Sequence, residues 1–210
     1  MSVGEWEIGS IELPFSEAFR ITLENIRKRF VRAAITTASI ILGIAFMVSI
    51  LMMSQVQQSA TGVVEGIRAY QYWLLFISLL VSGVGITNSM LIAVAERYKE
   101  IGTMKCLGAL DRHILTFFLM ESSIIGGIGG ILGYIIGLIA AIIYGAMQFS
   151  MEAVGKALLS VGLLGFNIPA VISLLLASVI LAILLSIVAS LYPAYYAAKL
   201  NPADALRYEI

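Results

Sequence analysis

Residues 93–114, AVAERYKEIGTMKCLGALDRHI, hold seven of the chain's 26 charged side chains, between two very apolar stretches. Glu96, Arg97, Lys99, Glu100 and Lys105 alternate there with Ile101, Met104 and Leu107. The pattern predicts a helix over Glu96–Leu107, supported by pairs such as Glu96/Lys99. Lys105 stands in its last turn and Gly108 suits a left-handed cap. Apolar residues ringed by charge on such a helix fit a protein docking surface, or a helix lying back on lipid headgroups. Catalytic chemistry has little to work with. The chain has one histidine, His113, and one cysteine, Cys106, and no cluster with metal-ligand spacing. The nearest string to a phosphate-binding loop, Gly155-Lys156-Ala157, lacks the hydroxyl residue that such a loop needs. Glu121 is the one acid placed clearly inside an apolar segment. It fits an ion-coupled site, a structural ion pair, or a side chain reaching back to the interface. Asn88 is a second intramembrane polar group, explained by a hydrogen bond between helices.

The surroundings of that loop define the protein class. Hydrophobic residues make up 60% of the 210, charged residues 12%, and mean hydropathy is +0.98. A soluble domain carries about twice that share of charge. The fold class expected is therefore all-α and integral to the membrane, with four spans at about 33–54, 70–95, 114–147 and 168–192, each beyond the ~20 residues that cross a bilayer. The third is long enough to tilt, kink or project. With the N-terminus inside, eleven Lys and Arg fall inside and only Arg68 and Lys156 outside. The positive-inside rule then places both termini and the 93–114 loop in the cytoplasm. Tyr70, Tyr72 and Trp73 mark the outer interface, and Tyr192, Tyr195 and Tyr196 the inner one. No cleavable signal peptide is expected, because residues 1–13 are acidic.

Three domains of the chain follow: a cytoplasmic tail, 1–14; an amphipathic interfacial helix, 15–31, with Phe15, Phe19, Leu23, Ile26 and Phe30 at helical spacing; and a four-helix membrane domain, 32–210. Residues 55–69 read as a short linker. Residues 148–167 could hold a short helix on the membrane surface. Pro193 marks a kink or exit at the inner surface, and Asn201-Pro202 starts a terminal helix. In the third span Gly126, Gly130, Gly133 and Gly137 share a four-residue spacing that lets helices approach closely, within the subunit or across a dimer.

Three stretches resemble one family. SGVGITNSMLIAVAERYKEIGTMKCLGALDRHI is similar to the signature of MacB/FtsX-type ABC transporter permeases, in which E-R-x-x-E-I-G-x-x-K-x-x-G-A follows a span ending in Asn and Met. FLMESSIIGGIGGILGYIIG resembles the family's third span and LYPAYYAAKLNPADALRYE its terminus, so the likeness covers about residues 15–210. It implies a non-catalytic permease subunit that dimerises, with an identical or different chain. It implies a cytoplasmic ATP-binding partner that holds the ATP and Mg, with no cofactor in this chain. The coupling helix between spans two and three would then be about Arg97–Gly108. Membrane lipids are expected contacts and nucleic acids are not. One departure is that relatives insert a large extracytoplasmic domain where this chain has about fifteen residues. The expected function is ATP-driven movement, outward, of a hydrophobic or amphiphilic substrate. The alternatives are a regulatory or mechanotransmission subunit that does not transport, and a small ion-coupled transporter using Glu121.

Overall fold

The computed structural model describes residues 30–61, 68–149, 151–159 and 169–201. The expected tail, the amphipathic segment before residue 30 and the terminal helix after Asn201 lie outside them. Six helices account for nearly all the rest: α1 (Phe30–Thr61), α2 (Ala69–Glu96), α3 (Tyr98–Cys106), α4 (Asp111–Gln148), α5 (Met151–Leu159) and α6 (Ala170–Ala198). Four of them, α1, α2, α4 and α6, are long and apolar enough to cross a membrane. The helix α1 continues through Gln55, Gln57 and Gln58 to Thr61, so the linker expected from residue 55 is shorter. The amides of these glutamines remain in the helical ladder because nothing after Ser54 breaks it.

The helix α4 is the centre of the bundle, packed between α1 and α6. Its glycines explain how. A methyl group on Gly137 would stand 2.5 Å from the Ala45 carbonyl oxygen, and one on Gly133 2.9 Å from the Ile44 side chain, both on α1. On another face, a methyl on Gly126 or Gly130 would strike Ser186 or Ala182 of α6 at 2.5 and 2.8 Å. All four glycines are therefore filled by contacts within one chain. Helices already in lipid gain little by burying apolar surface, so close approach and its dispersion contacts supply much of the attraction.

Hydroxyl groups supply the rest. Ser78 donates to Gly43 O at 3.0 Å and Ser82 to Ser39 O at 3.1 Å, joining α2 to α1. Thr36 and Ser89 bond to each other across the same seam. Tyr134 donates to Val171 O at 2.8 Å, and the hydroxyls of Ser190 and Ser122 pair at 2.8 Å, joining α4 to α6. The amphipathic α5 buries Val154 and Ala157 and leaves Glu152 and Lys156 exposed.

Pro193 neither ends α6 nor leaves the fold; it is fully buried and the helix runs on to Ala198. A proline there has no N–H for the carbonyl four residues back, Ala189. Thr87 of α2 places its Oγ1 2.9 Å from Ala189 O, and 3.0 Å from Gly83 O in its own helix. The Gly83 carbonyl already has the ladder N–H of Thr87, so the orphan is the acceptor in need. In hydrocarbon an unmet carbonyl costs several kcal/mol, and the neighbouring span removes that cost.

Gly137→Leu should destabilise the bundle by at least about 1–3 kcal/mol, because backbone atoms must move apart. Gly127→Ala, whose nearest neighbour would be 3.9 Å away, should be nearly neutral. Thr87→Val should lower stability by about 1–3 kcal/mol, and adding Pro193→Ala should relieve much of that loss by restoring the ladder bond. Equilibrium denaturation in mixed micelles measures all four.

Candidate coupling site

The charged loop folds as the short helix α3 and a turn at each of its ends. At the first, Arg97 has φ −101° and ψ 13°, and its N–H donates to Val94 O, three residues back, at 3.2 Å. One non-helical residue thus separates α2 from α3. The continuous helix expected through Glu96–Leu107 is interrupted there. The side chain of Arg97 shows what holds the turn: Nη1 lies 2.9 Å from Glu121 Oε2 and Nη2 3.3 Å from Oε1. Only 12% and 8% of the two side chains are exposed. A planar guanidinium fits a carboxylate in this two-bond mode where a lysine could offer only a point charge. Glu121 is thereby engaged as a structural partner.

A second anchor is apolar. Ile101 is 3% exposed and packs in a cluster with Met90, Ala93, Val94, Ile114, Phe118 and Ala197. The expectation that Ile101 lies exposed beside Met104 and Leu107 is therefore corrected. The buried face of α2 continues past the turn at Met90, Val94, Arg97 and Ile101, a four-three-four spacing that carries all four inward. Gly102 is buried as well.

The far end of α3 has a Schellman cap. Gly108 has φ 95°; its N–H donates to Lys105 O and that of Ala109 to Met104 O, each at 3.0 Å. These are, in that order, the five-to-two and six-to-one bonds of that motif, and its left-handed residue favours glycine. The Lys105 ammonium then meets the Asp111 carboxylate at 2.9 Å, joining the end of α3 to the first turn of α4. Lys199 lies nearby, 4.9 Å above the Tyr195 ring. Its pKa is raised, first by the hydrogen bond to Tyr195 and also by the Asp111 charge.

Held at these points, α3 presents one outward face. Lys99, Glu100, Thr103 and Cys106 are exposed, Met104 is 47% exposed and Leu107 88%. Glu96, at the end of α2, is exposed too. His113 is half-buried, and no group of three metal-binding side chains occurs among the described residues. Asn88 departs from expectation: it lies on the exposed face of α2, away from the hydroxyl seams of that helix. The links that sequence reading missed are Arg97–Glu121 and Thr87–Ala189. For the first, the signal was a cation directly at a span's end and a lone acid two turns into the next.

Glu121→Leu should cost about 3 kcal/mol by leaving Arg97 unpaired, whereas Arg97→Met with Glu121→Leu should recover most of it. A double-mutant cycle in micelles measures the difference.

The profile of the FtsX-like permease C-terminal family matches residues 72–202, from α2 to the end of the described chain. An uncharacterized ABC transporter permease of Methanocaldococcus jannaschii is 34% identical over 161 residues, 77% of this chain and 38% of that protein. The macrolide export ATP-binding/permease protein MacB of Bdellovibrio bacteriovorus is 35% identical over 159 residues, 75% of this chain and 22% of that protein. The uncharacterized ABC transporter permease YknZ of Bacillus subtilis is 42% identical over 135 residues, 63% of this chain and 30% of its own length. The chain thus spans well under half of the relatives that it matches. With four membrane-crossing helices and this match over most of its length, the chain belongs to the FtsX-like permease family of ABC transporters.

Proposed function

We propose that this chain is a permease subunit whose α3 receives work from a separate ATP-binding subunit, which holds the ATP and Mg. The observation that carries the reading is the asymmetry of α3. One face is fastened through Arg97 and Ile101, while Met104 and Leu107 are left exposed among charges. An exposed leucine at a charged helix end gains from a protein pocket more than from water. The positive-inside rule puts this end of the bundle in the cytoplasm, where ATP is. Force on α3 would pass through the Arg97–Glu121 bonds into α4, and through its glycine contacts to α1 and α6. The route is lateral, and it does not need α2 and α3 to be one rod.

The substrate class we infer is hydrophobic or amphiphilic, moved outward by a pair of such subunits. Between their ends the four spans carry one charged residue, Glu121, and it is engaged by Arg97. That favours an apolar path over an ion-coupled one. The macrolide export named for the Bdellovibrio relative involves a substrate of compatible character.

Met104→Glu with Leu107→Asp should abolish co-purification of the ATP-binding subunit and reduce ATP-dependent transport in proteoliposomes to background. Neither side chain is buried, so the melting temperature should stay within about 2 °C of the parent. Unchanged capture of the ATPase by this variant would overturn the reading.

A further inference from the structure

The buried apolar side chains of the described residues fall into two separate clusters. One fills the membrane core, with Ile44 of α1, Ile86 of α2, Ile125 of α4 and Ala182 of α6. The other lies at the charged end, with Val94 of α2, Ile101 of α3, Phe118 of α4 and Ala197 of α6. Polar contacts separate them: Thr36 with Ser89, Ser122 with Ser190, Thr87 with the Ala189 carbonyl, and Arg97 with Glu121. Among the described residues α1 contributes nothing to the end cluster, whereas α2, α4 and α6 each contribute to both.

Of these three helices, α2 and α4 cross the polar layer without a proline. The third, α6, crosses it at Pro193, where the bond to Ala189 O is missing. Ala189 packs against the core cluster, while Ala194, Ala197 and Ala198 belong to the end cluster. The gap in the ladder thus falls where α6 passes from one cluster to the other, and a helix bends most readily at such a gap. The group that closes it is itself two-sided. The Thr87 hydroxyl has one proton and two acceptors in reach, Ala189 O at 2.9 Å and Gly83 O at 3.0 Å. Turning that proton to Gly83 O frees α6 and leaves the hydroxyl satisfied.

We propose that Ala194–Ala198 is a hinged segment that swings on Pro193 when α3 is displaced, and that Thr87 is the clasp that positions it. Ile101 shares the end cluster with Ala194 and Ala197, so a push on α3 reaches the segment through apolar contact. The rest of α6 stays with α4, held by the Ser122–Ser190 bond and by the close approach of Gly126 and Gly130. The two acceptors of Thr87 define the two positions of the hinge. The inference rests on the reading of α3 as the element that receives work. It adds where in the bundle part of that displacement is taken up and which side chain controls it.

Spin labels at Leu42 on α1 and Tyr196 beyond the hinge read the motion, with Leu42 and Ile180 as the control pair. All three side chains are exposed. Labelled Cys106→Ser chains are diluted into unlabelled ones in lipid nanodiscs. Tyr196 stands seven residues beyond Ala189, so a kink of ~20° displaces it by about 4 Å. In the chain alone, Thr87→Val should widen the Leu42–Tyr196 distance distribution by about that amount and leave Leu42–Ile180 as in the parent. Thr87→Ser should match the parent, and Thr87→Val combined with Pro193→Ala should narrow the distribution again. With the ATP-binding subunit bound, ATP and vanadate should shift the Leu42–Tyr196 distance by about 4 Å. Pro193→Ala should abolish that shift while the ATPase is still captured. A Thr87→Val chain in which both distances match the parent, or both widen, would overturn the hinge. So would a Pro193→Ala complex that shifts as the parent does. A parent chain that captures no ATPase removes the proposed function, and the distances in the chain alone still decide the hinge.

Discussion

Inside hydrocarbon two apolar helices gain almost nothing by exchanging lipid for each other, and no water is present to complete a backbone hydrogen bond. The bundle rests on that constraint. Its helices meet where backbones can come unusually close, as Gly137 does at Ala45 and Gly130 at Ala182. They also meet where a small hydroxyl reaches a carbonyl on the next helix, as at Gly43, Ser39 and Val171. The proline in α6 obeys the same rule, since the carbonyl that it strands is met by Thr87 from α2.

The charged end follows different physics. There a water interface is near, and a buried ion pair and an apolar cluster hold α3. Breaking one partner of such a pair is far more costly than replacing both, so Arg97 and Glu121 behave as one unit. Their bond crosses from the turn below α2 to α4, the helix with the most extensive packing in the bundle. A displacement of α3 would therefore be felt first at the centre of the bundle. Lys105–Asp111 adds a second tie at the other end of α3, and the Schellman cap sets the angle at which the chain leaves it.

The two ends of α2 differ in a way that bears on this. Toward Arg97 its buried face is continuous with that of α3, through Met90, Val94, Arg97 and Ile101. Toward Tyr70 and Trp73 it is largely uncovered among the described residues. Among the described residues one helix thus has a fixed end and an open flank.

Much of this was legible in the residues alone. Hydropathy and length determined the four spans, because ~20 apolar residues have no other stable home. Gly108 was readable as a left-handed cap, since other residues adopt that backbone conformation only at a cost. The four-residue glycine spacing announced close packing. What it could not announce was the partner of each face: the same spacing serves α1, α6 or a second copy equally well. Ile101 looked exposed because its neighbours in sequence are charged, and only the position of α4 and α6 beneath it decided otherwise. Arg97 and Glu121 are 24 residues apart and complementary in charge, but their meeting depends on the turn at Arg97 and on the rotation of α4. Composition and periodicity determine which segments enter the bilayer and which residues share a face. Which faces meet was decided only in the tertiary structure, because dispersion contact and hydrogen-bond geometry depend on ångström-scale distances that the order of residues does not specify.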